Sequence, residues 1–239
     1  MPSVSTSALV IRRADYSDYD RMVTLFSPTM GRVDAIARGC KRPKSPLLNA
    51  SEPFTSGEFM LYQKGERFTM EQCQISESFY ELRTDYDRLQ HGVYWLKLLD
   101  SSVMADVPMP DLFLITLQAL AHLNYSDFPA EMLTMAFEMH LMTQLGYAPR
   151  ADACQICSKP IDGDARFDAD RGGCVCLHCS SSAPFISNGA RRVMLKLPRT
   201  RFEQVKHLDG YPDWPEAARL FRSYVDRRIM QQKFAPPLP

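Results

Sequence analysis

The sequence predicts an α+β protein of more than one domain: an N-terminal β-barrel, then an α-helical bundle carrying an inserted four-cysteine zinc ribbon. Three observations carry this. Residues 7–80 contain five short apolar runs separated by turn residues, with no helical period dominating. From residue 81 onward, apolar side chains recur at helical spacing instead. Five of the seven cysteines then crowd between Cys154 and Cys179. At 239 residues, 45% hydrophobic and 23% charged, the chain has ordinary globular composition and room for one large domain or two or three small ones.

In the barrel segment, ALVIRRADYS begins apolar and ends in turn residues. RMVTLFSPTMGRVDAIARG reads as two strands joined by Ser27–Gly31, and FTSGEFMLYQKGERFTMEQCQI as a second pair turning at Lys64-Gly65. A first helix follows in DYDRLQHGVYWLKLLDSSVM, with Leu89, Val93, Leu96 and Val103 in phase and Trp95, Leu98 and Leu99 widening the apolar surface. PDLFLITLQALAHL is a second. SDFPAEMLTMAFEMHLMTQLGYAP is a third, with Ser126 or Asp127 as cap, Pro129 in the first turn and Gly146 as stop. Its apolar residues cover more than one face, which predicts a buried central helix. Met132, Met135, Met139 and Met142 are expected in its core packing, the alternative being an adaptable groove. Beyond the cysteines, Ser187 caps a helix that Pro198 ends, and Asp213 with Glu216 resembles a capping box opening the last helix. KFAPPLP reads as a frayed tail.

Disulfides suit the cysteines poorly, because their number is odd and MPSVSTSALVIRRADYSDYD lacks the basic start and apolar run of an export signal. A metal site fits better. Cys154-x2-Cys157 and Cys176-x2-Cys179 lie 18 residues apart, inside the range of zinc ribbons. Two such knuckles aim four thiolates at one point and leave no position for water, so one structural Zn2+ is expected. Cys174 competes with Cys176 for the third position, and His178 lies close, but the Cys-x-x-Cys spacing favours Cys176. The acidic run DGDARFDADRGG does not match a calcium loop. Neither a phosphate loop nor a His-Glu-x-x-His motif occurs, and His140 on its helix reads as packed or solvated.

Equal numbers of acidic and basic residues conceal an uneven distribution. Residues 81–153 carry 4 basic against 10 acidic side chains, and residues 190–239 carry 11 against 5. A local basic run, Arg38, Lys41, Arg42 and Lys44, sits in the turn-rich ARGCKRPKSPLLNASEPF. Flexible cations there can follow a phosphate backbone without reading bases. Tyr16, Phe26 and Phe54 are aromatic candidates for base stacking, with core packing favoured for the two phenylalanines.

The pattern ALVIRRADYSDYDRMVTLFSPTMGRVDAIARGCKRPKS followed by EPF, then FYELRTDYDRL, FEMHLMTQLGYAP, the cysteine segment and FIS, resembles the RecO family of bacterial recombination mediators. The resemblance covers nearly the whole chain in order. It implies an OB-fold domain over residues 1–80 and a helical domain over 81–239, with a zinc insertion at about 151–185. It also implies binding of single- and double-stranded DNA, annealing of complementary strands, and action with RecR to load RecA onto strands coated by single-strand-binding protein. Carried over by position, the DNA contacts are Arg12, Arg32, Arg38, Lys41, Arg42 and Lys44, and the zinc ligands Cys154, Cys157, Cys176 and Cys179. A non-enzymatic protein of the bacterial cytoplasm and nucleoid is expected, without a membrane partner. The alternative is a zinc-finger DNA repair enzyme of the glycosylase type; those open on Pro-Glu, whereas this chain opens Met1-Pro2-Ser3. A third reading is a docking module in which Arg191, Arg192, Arg219, Arg222, Arg227 and Arg228 receive the acidic C-terminal tail of single-strand-binding protein.

Overall fold

A computed structural model describes residues 3–179 and 182–230; the closing KFAPPLP segment lies outside them. The chain divides into two compact units, Met1–Tyr125 and Ser126–Pro239.

The first unit is built on a closed five-stranded barrel of OB-like form. β1 (Ser3–Asp15), β2 (Arg21–Ser27), β3 (Gly31–Ala37), β4 (Ser56–Lys64) and β5 (Arg67–Glu77) follow the order β1-β2-β3-β5-β4. Neighbours are antiparallel except β3 and β5, which close the barrel in parallel at Ala35↔Phe68 and Ile36↔Thr69. Strand alternation decides what faces inward. In β3, Val33, Ala35 and Ala37 enter the core, while Arg32, Asp34 and Ile36 point away. Val10, Val23, Leu25, Phe59, Leu61 and Met70 fill the interior, and a single helical turn, α1 (Leu47–Ala50), plugs it with Leu47 and Ala50. Burying each large side chain contributes about 1.5–3 kcal/mol.

Two helices belong to this unit. Asp85 caps α2 (Tyr86–Ser102) by accepting from the Arg88 amide, and α3 (Pro110–Tyr125) follows. Trp95, Leu96, Leu98 and Leu99 form the buried face of α2, whereas Val93, in phase by sequence, is exposed. Phe26 of β2 meets Phe113 of α3 edge to face at 5.6 Å. The β2–β3 turn is fastened by the connection between the helices: the Arg32 amide donates to Met104 O at 3.0 Å, and the Asp106 amide to Met30 O at 3.0 Å. Gly31 is needed there twice over. Its φ is +66°, and a Cβ would sit 2.2 Å from Met104 O.

In the second unit, α4 (Ala130–Gln144) is apolar nearly all round and buried accordingly. Met132, Met135, Met139 and Met142 are all core residues, so they offer no groove. Its N-cap is Pro129 rather than Ser126 or Asp127. Pro129 is itself extended, with ψ at 126°, and Ser126 Oγ accepts from the Phe128 amide in the preceding turn. Gly146 does end the helix. With φ at +77° it lets Gly146 N reach Thr143 O and Tyr147 N reach Met142 O, a Schellman motif.

The ribbon inserts next, with β6 (Ala165–Asp168), β7 (Gly173–Val175) and β8 (Phe185–Ile186) in the order β7-β6-β8. α5 (Asn188–Lys196) and α6 (Trp214–Val225) complete the unit. Ser187 caps α5 as expected, accepting from Ala190 N at 3.1 Å. The capping box on α6 does not form, although Asp213 holds the N-cap position. Glu216 accepts instead from the amide and hydroxyl of Ser187, at 3.1 and 2.6 Å. The two helix starts adjoin, so the acids of one serve the other. No helix among the described residues is long and apolar enough to cross a membrane.

Candidate nucleic-acid interface and metal cluster

The barrel presents a groove of about 890 Å³ on its outer face. β3 supplies Ile36 and leads into Arg38, the β4–β5 hairpin supplies Tyr62, Lys64, Glu66, Arg67, Thr69 and Glu71, and the β1–β2 loop supplies Tyr16 and Asp20. This is the position, across the middle strands and between two loops, at which barrels of this form take single strands. Tyr16 is 57% exposed, available for stacking, while Phe26 and Phe54 are buried as core residues. Lys64 and Arg67 were not expected from the sequence. They are isolated cations in a hairpin, and only closure of the barrel beside β3 brings them to Arg38.

Arg38, Arg42 and Lys44 are exposed in the loop that follows β3, and none of the three holds an ion pair among the described residues. Lys41 differs. Its ammonium folds back onto Asp15 at 2.9 Å and onto Ser17 O at 3.3 Å. That pairing holds the Asp15 carboxyl below its ordinary range.

Arg12 and Arg32 stand outside the loop. The strand register sets Arg12, Thr24 and Asp34 in one row across β1, β2 and β3. Arg12 lies 3.6 Å from Asp100 and 4.0 Å from Asp34, and Arg32 pairs with both acids. Burial works against the charge on Arg32, but Asp34 and Asp100 outweigh it and raise its pKa. Arg32 is thus closely paired, whereas Arg12 stays half-exposed beside the same two acids.

In the second unit, Cys154, Cys157, Cys176 and Cys179 come together with every Sγ within 4.8 Å of the others. The Cys157–Cys176 distance is 3.9 Å, close to the roughly 3.8 Å edge that follows from tetrahedral bonds of about 2.3 Å to sulfur. Amides of Ile156 and Cys157 point at Cys154 Sγ from 3.4 and 3.5 Å. Burial disfavours a Cys154 thiolate, yet the amides of Cys157, Cys176 and Ile156 prevail and bring it down to about 6. The donor set thus fits a thiophilic cation in a closed shell. Cys174 is not part of it; the side chain is fully buried and burial pushes its thiol up to about 12. His178 is exposed and outside the cluster.

Several C-terminal arginines are committed to this unit. Arg191, 5% exposed, donates to Gly163 O, Ala151 O and Asn188 Oδ1. Arg222 meets buried Glu138 at 2.5 Å, and Arg227 and Arg228 hold Asp170. Arg192 remains on the exposed side of α5.

Comparison with known proteins agrees along the chain. Family models described as "Recombination protein O N terminal" and "Recombination protein O C terminal" match residues 1–79 and 83–234. A protein of Syntrophomonas wolfei named DNA repair protein RecO is 34% identical over 205 residues, covering 84% of this chain and 81% of that one. Its namesake in Desulfitobacterium hafniense is 33% identical over 84% of this chain and 76% of its own length. The one in Moorella thermoacetica is 26% identical over 98% and 91%.

Proposed function

Because the chain belongs to the RecO family of DNA repair proteins, we propose that it is a non-enzymatic recombination mediator acting in the bacterial cytoplasm at the nucleoid. It binds single- and double-stranded DNA, anneals complementary strands and, with RecR, helps load RecA onto DNA coated by single-strand-binding protein. The acidic tail of that protein is a further partner. We place the DNA-binding module at residues 1–80, the helical domain at 81–239 and the zinc insertion at about 151–185.

The observation that carries this reading is the barrel groove, in which Arg38, Lys64 and Arg67 stand among the acids Asp20, Glu66 and Glu71, with exposed Arg42 and Lys44 further along the adjoining loop. Arg38, Arg42 and Lys44 meet phosphates, joined by Lys64 and Arg67, and Tyr16 stacks bases. Such contacts are indifferent to sequence, as a mediator requires. Annealing then needs no reactive group. A basic surface lowers the repulsion between two strands and raises their local concentration. Cys154, Cys157, Cys176 and Cys179 hold one structural Zn2+, which when bound cross-links the two knuckles; the chain's own hydrogen bonds and the packing of Phe167 against Tyr224 also orient the ribbon.

The test is single-strand binding across a salt series. Replacing Arg38, Arg42 and Lys44 together by Gln is expected to weaken binding to every sequence and to lower the slope of log affinity against log salt by about 2, at roughly 0.7 per phosphate contact. An unchanged slope removes the loop from the interface. Metal analysis of protein purified without added metal is expected to give about one zinc per chain.

A further inference from the structure

The basic loop is not a loose tether. It is stitched by five contacts to the end of β1 and the β1–β2 loop across from it. Gly39 turns with φ at +64°, and its amide donates to Asp20 Oδ1 at 2.7 Å. The Lys41 amide reaches Tyr19 O at 3.0 Å, and the Lys41 ammonium reaches Asp15 and Ser17 O. The Arg42 guanidinium lies over the Tyr19 ring, 5.2 Å from its centroid. The β1–β2 loop is braced in turn, because the Tyr16 and Ser17 amides donate to Asp20 O and the Asp20 amide to Ser17 Oγ.

Two of these stitches run against simple electrostatics. Asp20 lines the groove, where a negative charge repels a nucleic-acid strand. Lys41, central in the basic run, spends its charge on Asp15. A groove selected for positive potential alone gains by losing Asp20 and by freeing Lys41. We propose that Asp20 and Lys41 are positioning residues: they fix the two loops against each other and so hold Arg38, Arg42 and Lys44 at the spacing that meets a single strand. The inference rests on the groove being the DNA-binding surface. Preorganising the loop removes part of the ordering cost that flexible cations otherwise incur on binding.

Positioning and charge predict opposite signs, which makes the idea testable on the full-length protein. Single-strand binding is followed by fluorescence anisotropy of a labelled oligonucleotide over a salt series, with thermal melts confirming that each variant folds. Asp20→Ala is expected to weaken binding severalfold although it removes an anion. Asp20→Asn keeps an acceptor for Gly39 and is expected to bind at least as tightly as the parent. Asp15→Asn and Lys41→Met are each expected to weaken binding, with the salt slope falling by well under the roughly 0.7 of a lost phosphate contact. Tighter binding by Asp20→Ala or by Asp15→Asn overturns the proposal, as does a full contact's loss of slope in Lys41→Met. A parent protein that binds no oligonucleotide defeats the groove reading itself, an outcome distinct from these.

Discussion

Single side chains here are best read by what neutralises them. The run Arg38–Lys44 looks uniform in sequence, yet Lys41 is internally paired and its neighbours are not. Arg12 and Arg32 meet Asp34 and Asp100, the latter on α2, and no sequence window of ordinary length contains both members of the Arg12–Asp100 contact. Long-range pairing of this sort is illegible before folding. The cysteines are the opposite case: the Cys-x-x-Cys spacing already named the four that meet, because a knuckle's geometry is set within four residues. His140 illustrates how burial acts on one group. Its Nε2 lies 2.9 Å from Thr200 O, its ring 5.2 Å from that of Phe202, and burial lowers its pKa below the ordinary 6.5 despite the Thr200 hydrogen bond. The unfolded chain therefore takes up the proton first. Stability from this residue is expected to be complete above about pH 6.5 and to be lost as pH falls through 6.5 toward the folded value. Urea midpoints measured across pH 5–8 check this, with His140→Gln expected to show a shallower acid-side loss.

Elements were legible where periodicity is local and misread where a neighbour intervenes. Strand alternation and turn residues gave away the barrel, and the Gly146 stop is visible because a left-handed cap is a local need. The α6 capping box was a sound local pattern that tertiary adjacency redirected, since Glu216 serves Ser187 at the start of α5. Ser187→Ala is accordingly expected to cost about 0.5–2 kcal/mol, the range for a lost cap, and a comparable loss in Glu216→Gln would show that the carboxylate, not the helix start, matters. Chemical denaturation measures both. In the first unit, Gly31→Ala forces a methyl group against Met104 O and strains a positive φ. It is expected to destabilise by several kcal/mol, read as a lower melting temperature.

At the scale of the whole molecule, the two compact units hold different features: a groove lined by cations and acids in the first, a four-cysteine cluster in the second. Removing metal with a strong chelator is expected to expose the ribbon to protease while leaving single-strand binding by the barrel within about twofold. Limited proteolysis beside an anisotropy titration tests both halves of that statement. Arg191 sets the practical boundary of the ribbon. It grips the carbonyls of Ala151 and Gly163, inside the insertion, from the helix that follows it. A graft of residues 154–179 into a foreign scaffold would carry all four thiolates and still leave behind the strut that seats them. A segment that keeps this strut must run at least from Ala151 to Arg191, and it would still lose the hold of Arg227 and Arg228 on Asp170.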